Sequence, residues 1–472
     1  MMSQQHLGVI GLGVMGSNLA LNAESKGFSA AGFDVSLDKV NQFESLARGK
    51  KLVAARSLKE FVADLETPRR ILMMVPAGAP VDSVLRDLRP FLSREDIVID
   101  GGNSYFKDTE RRAKDLDSAG LRFFGMGVSG GEEGALHGPS LMPGGREESY
   151  RHLEAVLTRM AAQTEDGACC TYLGPGGAGH YVKMVHNGIE YGIMQAICEV
   201  YDLLKGALGL SAAQLRDIFA AWNDAELNSF LVEITALVLD KVDPETQKPL
   251  VDLILDEAEQ KGTGKWTVQD ALDLGVAVPT LSMAVSTRIL TAQKEERVAA
   301  ASVLKGPDGK FSGDAKRLIE DARRALGLAM VICYAQGFEQ LRVASAEYQY
   351  NLKLPEVARI WKGGCIIRSK MLDPIAAAFR SQPSLKNLLL DSYFSRAVQE
   401  NSGSLRATVK LAVDLGVSFP ALSASLAYLD GVRQARLPAN LLQALRDCFG
   451  AHTYRRTDRE GVFHTDWSRG GR

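Results

Sequence analysis

The sequence predicts a chain in three parts: an α/β domain with a parallel sheet over residues 1–177, a large all-α domain over 178–434, and a C-terminal tail over 435–472. Three observations carry this prediction. Short β-rich runs alternate with amphipathic segments in the first part, the pattern of strands wrapped by helices. A 3.6-residue apolar period then takes over and strand-like runs nearly vanish. Within that helical part, a ten-residue segment recurs. The length agrees, since 472 residues exceed what one hydrophobic core serves, and roughly 100 to 200 per domain gives two to four domains.

The expected strands are Leu7–Ile10, Ser29–Phe33, Arg70–Val75, Ile97–Asp100 and Leu121–Phe124. The cluster Gly174-Pro175-Gly176-Gly177-Ala178-Gly179 breaks regular structure and opens the helical domain. There, Asp273-Leu274-Gly275-Val276-Ala277-Val278-Pro279-Thr280-Leu281-Ser282 recurs as Asp414-Leu415-Gly416-Val417-Ser418-Phe419-Pro420-Ala421-Leu422-Ser423. The offset is 141 and seven of ten positions are identical. A fainter echo, Leu210–Trp222 against Leu352–Gly364, has an offset of 142. The common offset implies a duplicated helical unit about 140 residues long, the alternative being two helical corners that arose independently. The tail carries Phe449, Tyr454, Phe463 and Trp467 among many charges. It is too short to bury those rings within itself, so it is expected to lie across another surface, a partner subunit's being one candidate.

Composition narrows the function classes. With 46% apolar and 24% charged residues the chain is an ordinary globular one. A formal charge of -2 gives no long-range field for polyanions, so nucleic acid is not implied and any anionic ligand must be met locally. The longest apolar stretch, Ala325–Ala335, falls far below the roughly 20 residues needed to span a bilayer, so no membrane partner is expected. Met1–His6 carries no cationic segment and glycines interrupt the apolar run that follows, which speaks against a signal peptide. Six cysteines make no C-x-x-C pair and no disulfide framework, and a cytoplasmic, reducing compartment is the expectation.

Gly11-Leu12-Gly13-Val14-Met15-Gly16 follows a short apolar strand and opens a helical pattern. Such glycines permit a tight turn, close approach of a pyrophosphate to the backbone, and packing of helix on strand, while the helix N-terminus offers free N–H groups. Asp34 ends the next strand, where an acid would take the adenosine ribose hydroxyls. The pair reads as a Rossmann-type dinucleotide-binding site, a structural glycine turn being the alternative. Gly125-Met126-Gly127-Val128-Ser129-Gly130-Gly131 reads as a loop that places a hydroxyl beside bare amides, suited to a carboxylate, or as a plain loop. Asn103, after Asp100-Gly101-Gly102, sits where open sheets bind ligands, or merely forms a turn.

The most informative stretch is Lys183-Met184-Val185-His186-Asn187-Gly188-Ile189-Glu190-Tyr191. Lys183, His186, Asn187, Glu190 and Tyr191 fall at i, i+3, i+4, i+7 and i+8, one polar stripe on a helix. Met184, Val185, Ile189 and Ile193 between them are apolar, so the other side is expected to be buried and the stripe to face the glycine loops rather than solvent. A lysine and a glutamate held in a cleft can have shifted pKa values and exchange protons with a substrate near neutral pH. His6, His137, His152 and His180 form no metal-ligand spacing, so no metal is expected, and no G-x-S-x-G elbow or Cys/His signature supports covalent hydrolysis.

These segments, with Gly127–Ala135, Lys261-Gly262-Thr263-Gly264-Lys265-Trp266-Thr267 and Phe449-Gly450-Ala451-His452-Thr453-Tyr454, together resemble the decarboxylating 6-phosphogluconate dehydrogenase family over about residues 5–467. The resemblance implies a homodimer with shared active sites, each tail reaching into the other subunit. It implies an oxidoreductase of the pentose phosphate pathway and of gluconate utilization, converting 6-phospho-D-gluconate to D-ribulose 5-phosphate and carbon dioxide with hydride transfer to a nicotinamide. It makes Lys183 the general base at the 3-hydroxyl and Glu190 the acid that protonates C1. Asn103 would touch substrate and cofactor. Ser129, Gly130 and Gly131 would hold the carboxylate with His186, and Asn187 the hydroxyls. Tyr191, Lys261, Thr263 and Arg288 would hold the phosphate, joined by Arg446 and His452 of the other chain.

Two departures from the family pattern bear on the cofactor. Most members end the second strand with Asn-Arg-Thr or Asn-Arg-Ser, the arginine gripping the 2′-phosphate of NADP, where this chain has Asp34-Val35-Ser36. The usual Met-Val-Lys-Ala-Gly is Met74-Val75-Pro76-Ala77-Gly78. With one cation missing from each place and a carboxylate at Asp34, NAD is the expected cofactor and NADP the other candidate. Two rival readings are another β-hydroxyacid dehydrogenase, whose chains are shorter and lack the Lys261, Arg288 and Arg446 set, and a catalytically silent NAD-binding sensor, against which the retention of Lys183 and Glu190 argues.

Overall fold

The computed structural model describes residues 4–307 and 309–467, so the outermost residues of the expected first and last parts, and Asp308, lie outside the described residues. Among the described residues, β1 (Leu7–Ile10), β2 (Ala30–Phe33), β3 (Leu52–Ala54), β4 (Arg70–Met73), β5 (Ile97–Asp100), β6 (Arg122–Ser129) and β7 (Ser140–Gly144) form one sheet in the order β3-β2-β1-β4-β5-β6-β7. All neighbours pair in parallel except β6 and β7. Consecutive residues of a strand point to opposite faces. Accordingly Leu72, Ile99 and Phe124 join a core under the helices Val14–Ser25 and Glu154–Met160, while Ile71, Val98 and Phe123 join another under Ala79–Leu88 and Phe106–Ser118. Both faces are covered, as a parallel sheet requires.

The sheet differs from the sequence expectation at its edges. Three-residue β3 is too short to show a period, and β7, Ser140-Leu141-Met142-Pro143-Gly144, contains two residues that argue against a strand. The stretch Gly125–Ser129, expected as a loop, continues β6, because β7 pairs with it from Gly125↔Gly144 to Ser129↔Ser140. That extension delivers Ser129 on rigid backbone.

The helical part is organised around two long helices, Ala178–Leu208 and Ala315–Glu347, packed against each other. The repeated segments both become corners that open a 13-residue helix, Pro279–Thr291 and Pro420–Val432. At the first corner the amides of Thr280 and Leu281 donate to Gln336 Oε1, at 3.1 and 3.4 Å, from the second long helix. At the second, the amides of Ala421 and Leu422 donate to the Glu199 carboxylate, at 2.8 and 2.9 Å, from the first. Each copy's corner is thus capped by the other copy's long helix, which satisfies the free N–H groups of a helix start. No helix among the described residues is long and apolar enough to cross a membrane.

Two compact units divide the chain between Ala424 and Ser425. In the second, the helix Ala439–Gly450 is followed by a backbone bridge between Tyr454 and Phe463. Buried Asp447 ties it together, accepting from the amides of Thr453 and Thr465 and from the Trp467 indole. Leu441, Leu442 and Phe449 of its helix remain exposed, Phe449 at 75%.

Candidate active site

The sheet order reverses between β1 and β4, the crevice where open α/β sheets bind ligands. The loop Gly11–Gly16 lies there, and its glycines divide the work. Gly11 has φ +94°, and a Cβ on it would meet the Met74 carbonyl oxygen at 2.4 Å. A Cβ on Gly16 would meet the Gly11 carbonyl oxygen at 1.9 Å. Gly13 faces open space, and the helix it begins has no side-chain cap, which leaves bare N–H groups toward an approaching anion. The residues present therefore fit a dinucleotide. Buried Asp34 accepts from the Leu12 amide at 2.8 Å and the Ser36 amide at 2.9 Å, so its first role is to hold the glycine loop. Beside it, a cavity of about 380 Å³ is lined by Gly11, Gly13, Asp34, Val35, Val75 and Pro76 among others, with Lys39 Nζ 3.6 Å from the Asp34 carboxylate.

The polar stripe sits on the helix Ala178–Leu208, where Lys183, His186 and Asn187 are buried and Glu190 is half-buried. The stripe faces β6. Lys183 crosses that strand at Gly127, where a Cβ would come within 2.4 Å of the lysine's own Cβ. Burial, more than any neighbour, lowers the Lys183 pKa, with Glu190 and Cys365 opposing. Burial likewise raises Glu190, against Lys183 and Arg288. Desolvation disfavours both charged forms, so the two groups are drawn toward the range in which protons exchange. His186 is pushed well below its usual value by burial and then by Lys183, which keeps the ring neutral.

His186 organises the neighbours. Its Nδ1 lies 2.9 Å from Asn187 Oδ1, and Asn187 Nδ2 donates to Thr263 Oγ1 at 3.1 Å. Its Nε2 lies 3.1 Å from Ser129 Oγ. Gly130, at φ +115°, turns the chain out of β6 into the helix Gly131–His137. Tyr191 is buried with the Arg288 guanidinium 3.7 Å above its ring, a cation held over an aromatic face. Asn103 is exposed in the loop after β5, and Lys261 is exposed just before the helix Thr263–Asp273. Arg446 and His452 lie exposed in the second compact unit. Sequence reasoning missed Cys365 and Ile366: Cys365 Sγ lies 2.9 Å from His186 Nε2, and the Ile366 amide donates to Ser129 Oγ at 3.3 Å. The only signal was the pair Gly363-Gly364 in an otherwise helical region. No group of three or more His, Cys, Asp or Glu side chains among the described residues is placed to hold a metal ion.

Residues 6–174 match the family model for the NAD binding domain of 6-phosphogluconate dehydrogenase, and residues 179–467 match the one for the 6-phosphogluconate dehydrogenase C-terminal domain. A Bacillus subtilis protein named 6-phosphogluconate dehydrogenase, NADP(+)-dependent, decarboxylating is 54% identical over 467 residues, covering 99% of this chain and 100% of that one. An Escherichia coli 6-phosphogluconate dehydrogenase, decarboxylating, is 52% identical with the same coverage. The solved Plasmodium falciparum 6-phosphogluconate dehydrogenase, described in apo form and in complexes with NADP+ and with 6-phosphogluconate, superposes with a TM-score of 0.94 at 42% identity. That match covers 98% of this chain and 100% of the other. With both halves of its length matched and its loop and stripe built as described, the chain belongs to the 6-phosphogluconate dehydrogenase family.

Proposed function

We infer that the chain oxidatively decarboxylates 6-phosphogluconate to ribulose 5-phosphate and carbon dioxide, with hydride transfer to a nicotinamide dinucleotide. The observation that carries this reading is the placement of buried Lys183 and half-buried Glu190 on one helix face, their pKa values displaced toward each other, beside the Ser129–His186–Asn187 network. Lys183, favoured neutral by burial, takes the proton of the substrate's 3-hydroxyl. A nicotinamide bound at the glycine loop would accept the hydride from C3. The resulting 3-keto acid has its carboxylate β to the carbonyl, which receives the electrons of the breaking C–C bond, and protonated Lys183 stabilises the enolate oxygen as carbon dioxide leaves. Glu190, its proton retained by burial, then protonates C1.

Ser129, Gly130 and Gly131 hold the carboxylate together with His186 in this reading, Asn187 binds the hydroxyls, Asn103 touches substrate and cofactor, and Tyr191, Lys261, Thr263 and Arg288 hold the phosphate. Arg446 and His452 come from the partner of a homodimer. Exposed Leu441, Leu442, Leu445 and Phe449 support that assembly, since a helix rarely leaves so much apolar surface to water. The division at 177/178 and 434/435 separates dinucleotide, substrate and partner-reaching parts. Free cysteines throughout fit a reducing cytoplasm.

For the cofactor we propose NAD. The Bacillus subtilis name and the Plasmodium falciparum complex concern NADP in those proteins. In this chain Asp34 lines the cavity and accepts one amide on each carboxylate oxygen, which leaves each oxygen a further lone pair for ribose hydroxyls, and Val35, 89% exposed, stands where the family's arginine would. Lys39, the lysine lining that cavity, is already paired with Asp34. Initial rates with 6-phosphogluconate and each cofactor, with carbon dioxide followed in parallel, test both statements. One carbon dioxide per reduced nicotinamide is expected; reduction without carbon dioxide refutes the reaction, and faster NADP reduction refutes the preference.

A further inference from the structure

The Ser129–His186–Asn187 contacts raise a question of proton supply. Asn187 Oδ1 can only accept, so His186 Nδ1, 2.9 Å away, carries the ring proton. On its other side the amide donates through Nδ2 to Thr263 Oγ1 at 3.1 Å. The ring is neutral, and its Nε2 is therefore a bare lone pair. Two hydrogen-bearing groups reach that single lone pair: Ser129 Oγ at 3.1 Å and Cys365 Sγ at 2.9 Å. Both cannot donate to it at once.

Were Ser129 the donor, its only proton would point into the protein, away from the carboxylate that the proposed function assigns to it. We propose that Cys365 is a positioning residue whose S–H fills the His186 Nε2 lone pair and so releases the Ser129 hydroxyl proton for the substrate carboxylate. This inference rests on the proposed reaction. Three observations agree with it. Ser129 Oγ accepts the Ile366 amide at 3.3 Å, so the same segment that delivers the thiol also orients the hydroxyl. Burial pushes the Cys365 thiol up to about 12, so the donor keeps its proton. And Cys365 is buried, 4% exposed, while the Trp361 and His186 rings pack in a T-shaped pair with centroids 5.6 Å apart, which restricts the imidazole beside the thiol.

The test uses the full-length enzyme and Cys365→Ala, Cys365→Ser and Cys365→Val. Without a donor, Nε2 captures the Ser129 proton and the carboxylate loses one hydrogen bond. Hydrogen bonds to charged groups are worth about 1.5–3 kcal/mol, so KM for 6-phosphogluconate should rise roughly 10- to 100-fold in Cys365→Ala, with kcat and the cofactor KM much less affected. Cys365→Ser should restore KM to within a few-fold of wild type, since its hydroxyl donates to the same lone pair. If packing were the role, Ser, as small as Ala, would fail as Ala does. If the Ala variant does not fold, Cys365→Val, equally donor-free but larger rather than smaller than the native side chain, gives the same reading. The inhibition constant of a phosphorylated sugar alcohol lacking the carboxylate should not change in any variant. A wild type without turnover sinks the proposed reaction. An active wild type with an unchanged KM in Cys365→Ala, or a Ser variant matching Ala, sinks this inference alone.

Discussion

Gly127→Ala places one methyl group between strand and helix beside Lys183. The new Cβ would lie 2.4 Å from Lys183 Cβ, 2.9 Å from Lys183 Cγ and 3.3 Å from the Gly179 carbonyl oxygen. Carbon atoms rest about 3.5 Å or more apart, so the helix must retreat from β6 by about 1 Å. Neither element yields readily, because β7 pairs with β6 through Gly127 and the helix is buried along most of its length. Overpacking of this kind costs about 1–3 kcal/mol of stability. A displacement of about 1 Å at a catalytic group costs on the order of 100-fold in rate. We therefore expect kcat/KM for 6-phosphogluconate to fall about 100-fold while the fold survives with a lower denaturation midpoint. Gly13→Ala is the control: its Cβ meets no protein atom within 4 Å, so stability should hold while the cofactor KM rises. The assays are initial rates at saturating cofactor and chemical denaturation. Full activity in Gly127→Ala would refute the claim that this close approach sets the position of Lys183.

Lys183→Met should lower turnover by about 100- to 10,000-fold with cofactor binding retained, and Glu190→Gln should abolish stereospecific uptake of label from water at C1 of the product. Normal turnover in the first or normal labelling in the second removes that residue from its step. Wild-type kcat/KM should favour NAD over NADP by at least about tenfold, and Asp34→Asn with Val35→Arg should narrow or reverse the ratio by removing a repulsion and adding a guanidinium; an unchanged ratio would show that Asp34 does not set it. Mixing inactive Lys183→Met and Arg446→Ala chains should regenerate activity, because one site of a heterodimer keeps both groups; none after verified subunit exchange refutes shared sites. Glu199 is pushed up to about 7 by burial, from 4.5, although two backbone amides favour its charged form. Its folded pKa lies above the unfolded one, so its contribution is most favourable at low pH and is lost as pH rises from 4.5 to about 7. Glu199→Gln, which can accept the same amides as Gln336 does at the other corner, should stabilise the protein at pH 8 by up to about 3 kcal/mol, read from denaturation midpoints. Equal midpoints would refute this.

Local signals were legible in the sequence where one residue type answers one local need. The glycine loop, the five central strands, the corner repeat and the Lys183–Tyr191 stripe are all periodic or positional patterns, set by backbone geometry within a few residues. Tertiary contact decided the rest. β7 is a strand only because β6 offers it a partner, and Gly125–Ser129 is rigid for the same reason. Asp34 turned out to anchor the glycine loop through Leu12, a contact 22 residues away in sequence. Cys365 reaches His186 across 179 residues, so no spacing rule could pair them. The residue types predict which protons are available, but their pKa shifts come from burial, which is a property of the packed fold and not of any segment taken alone.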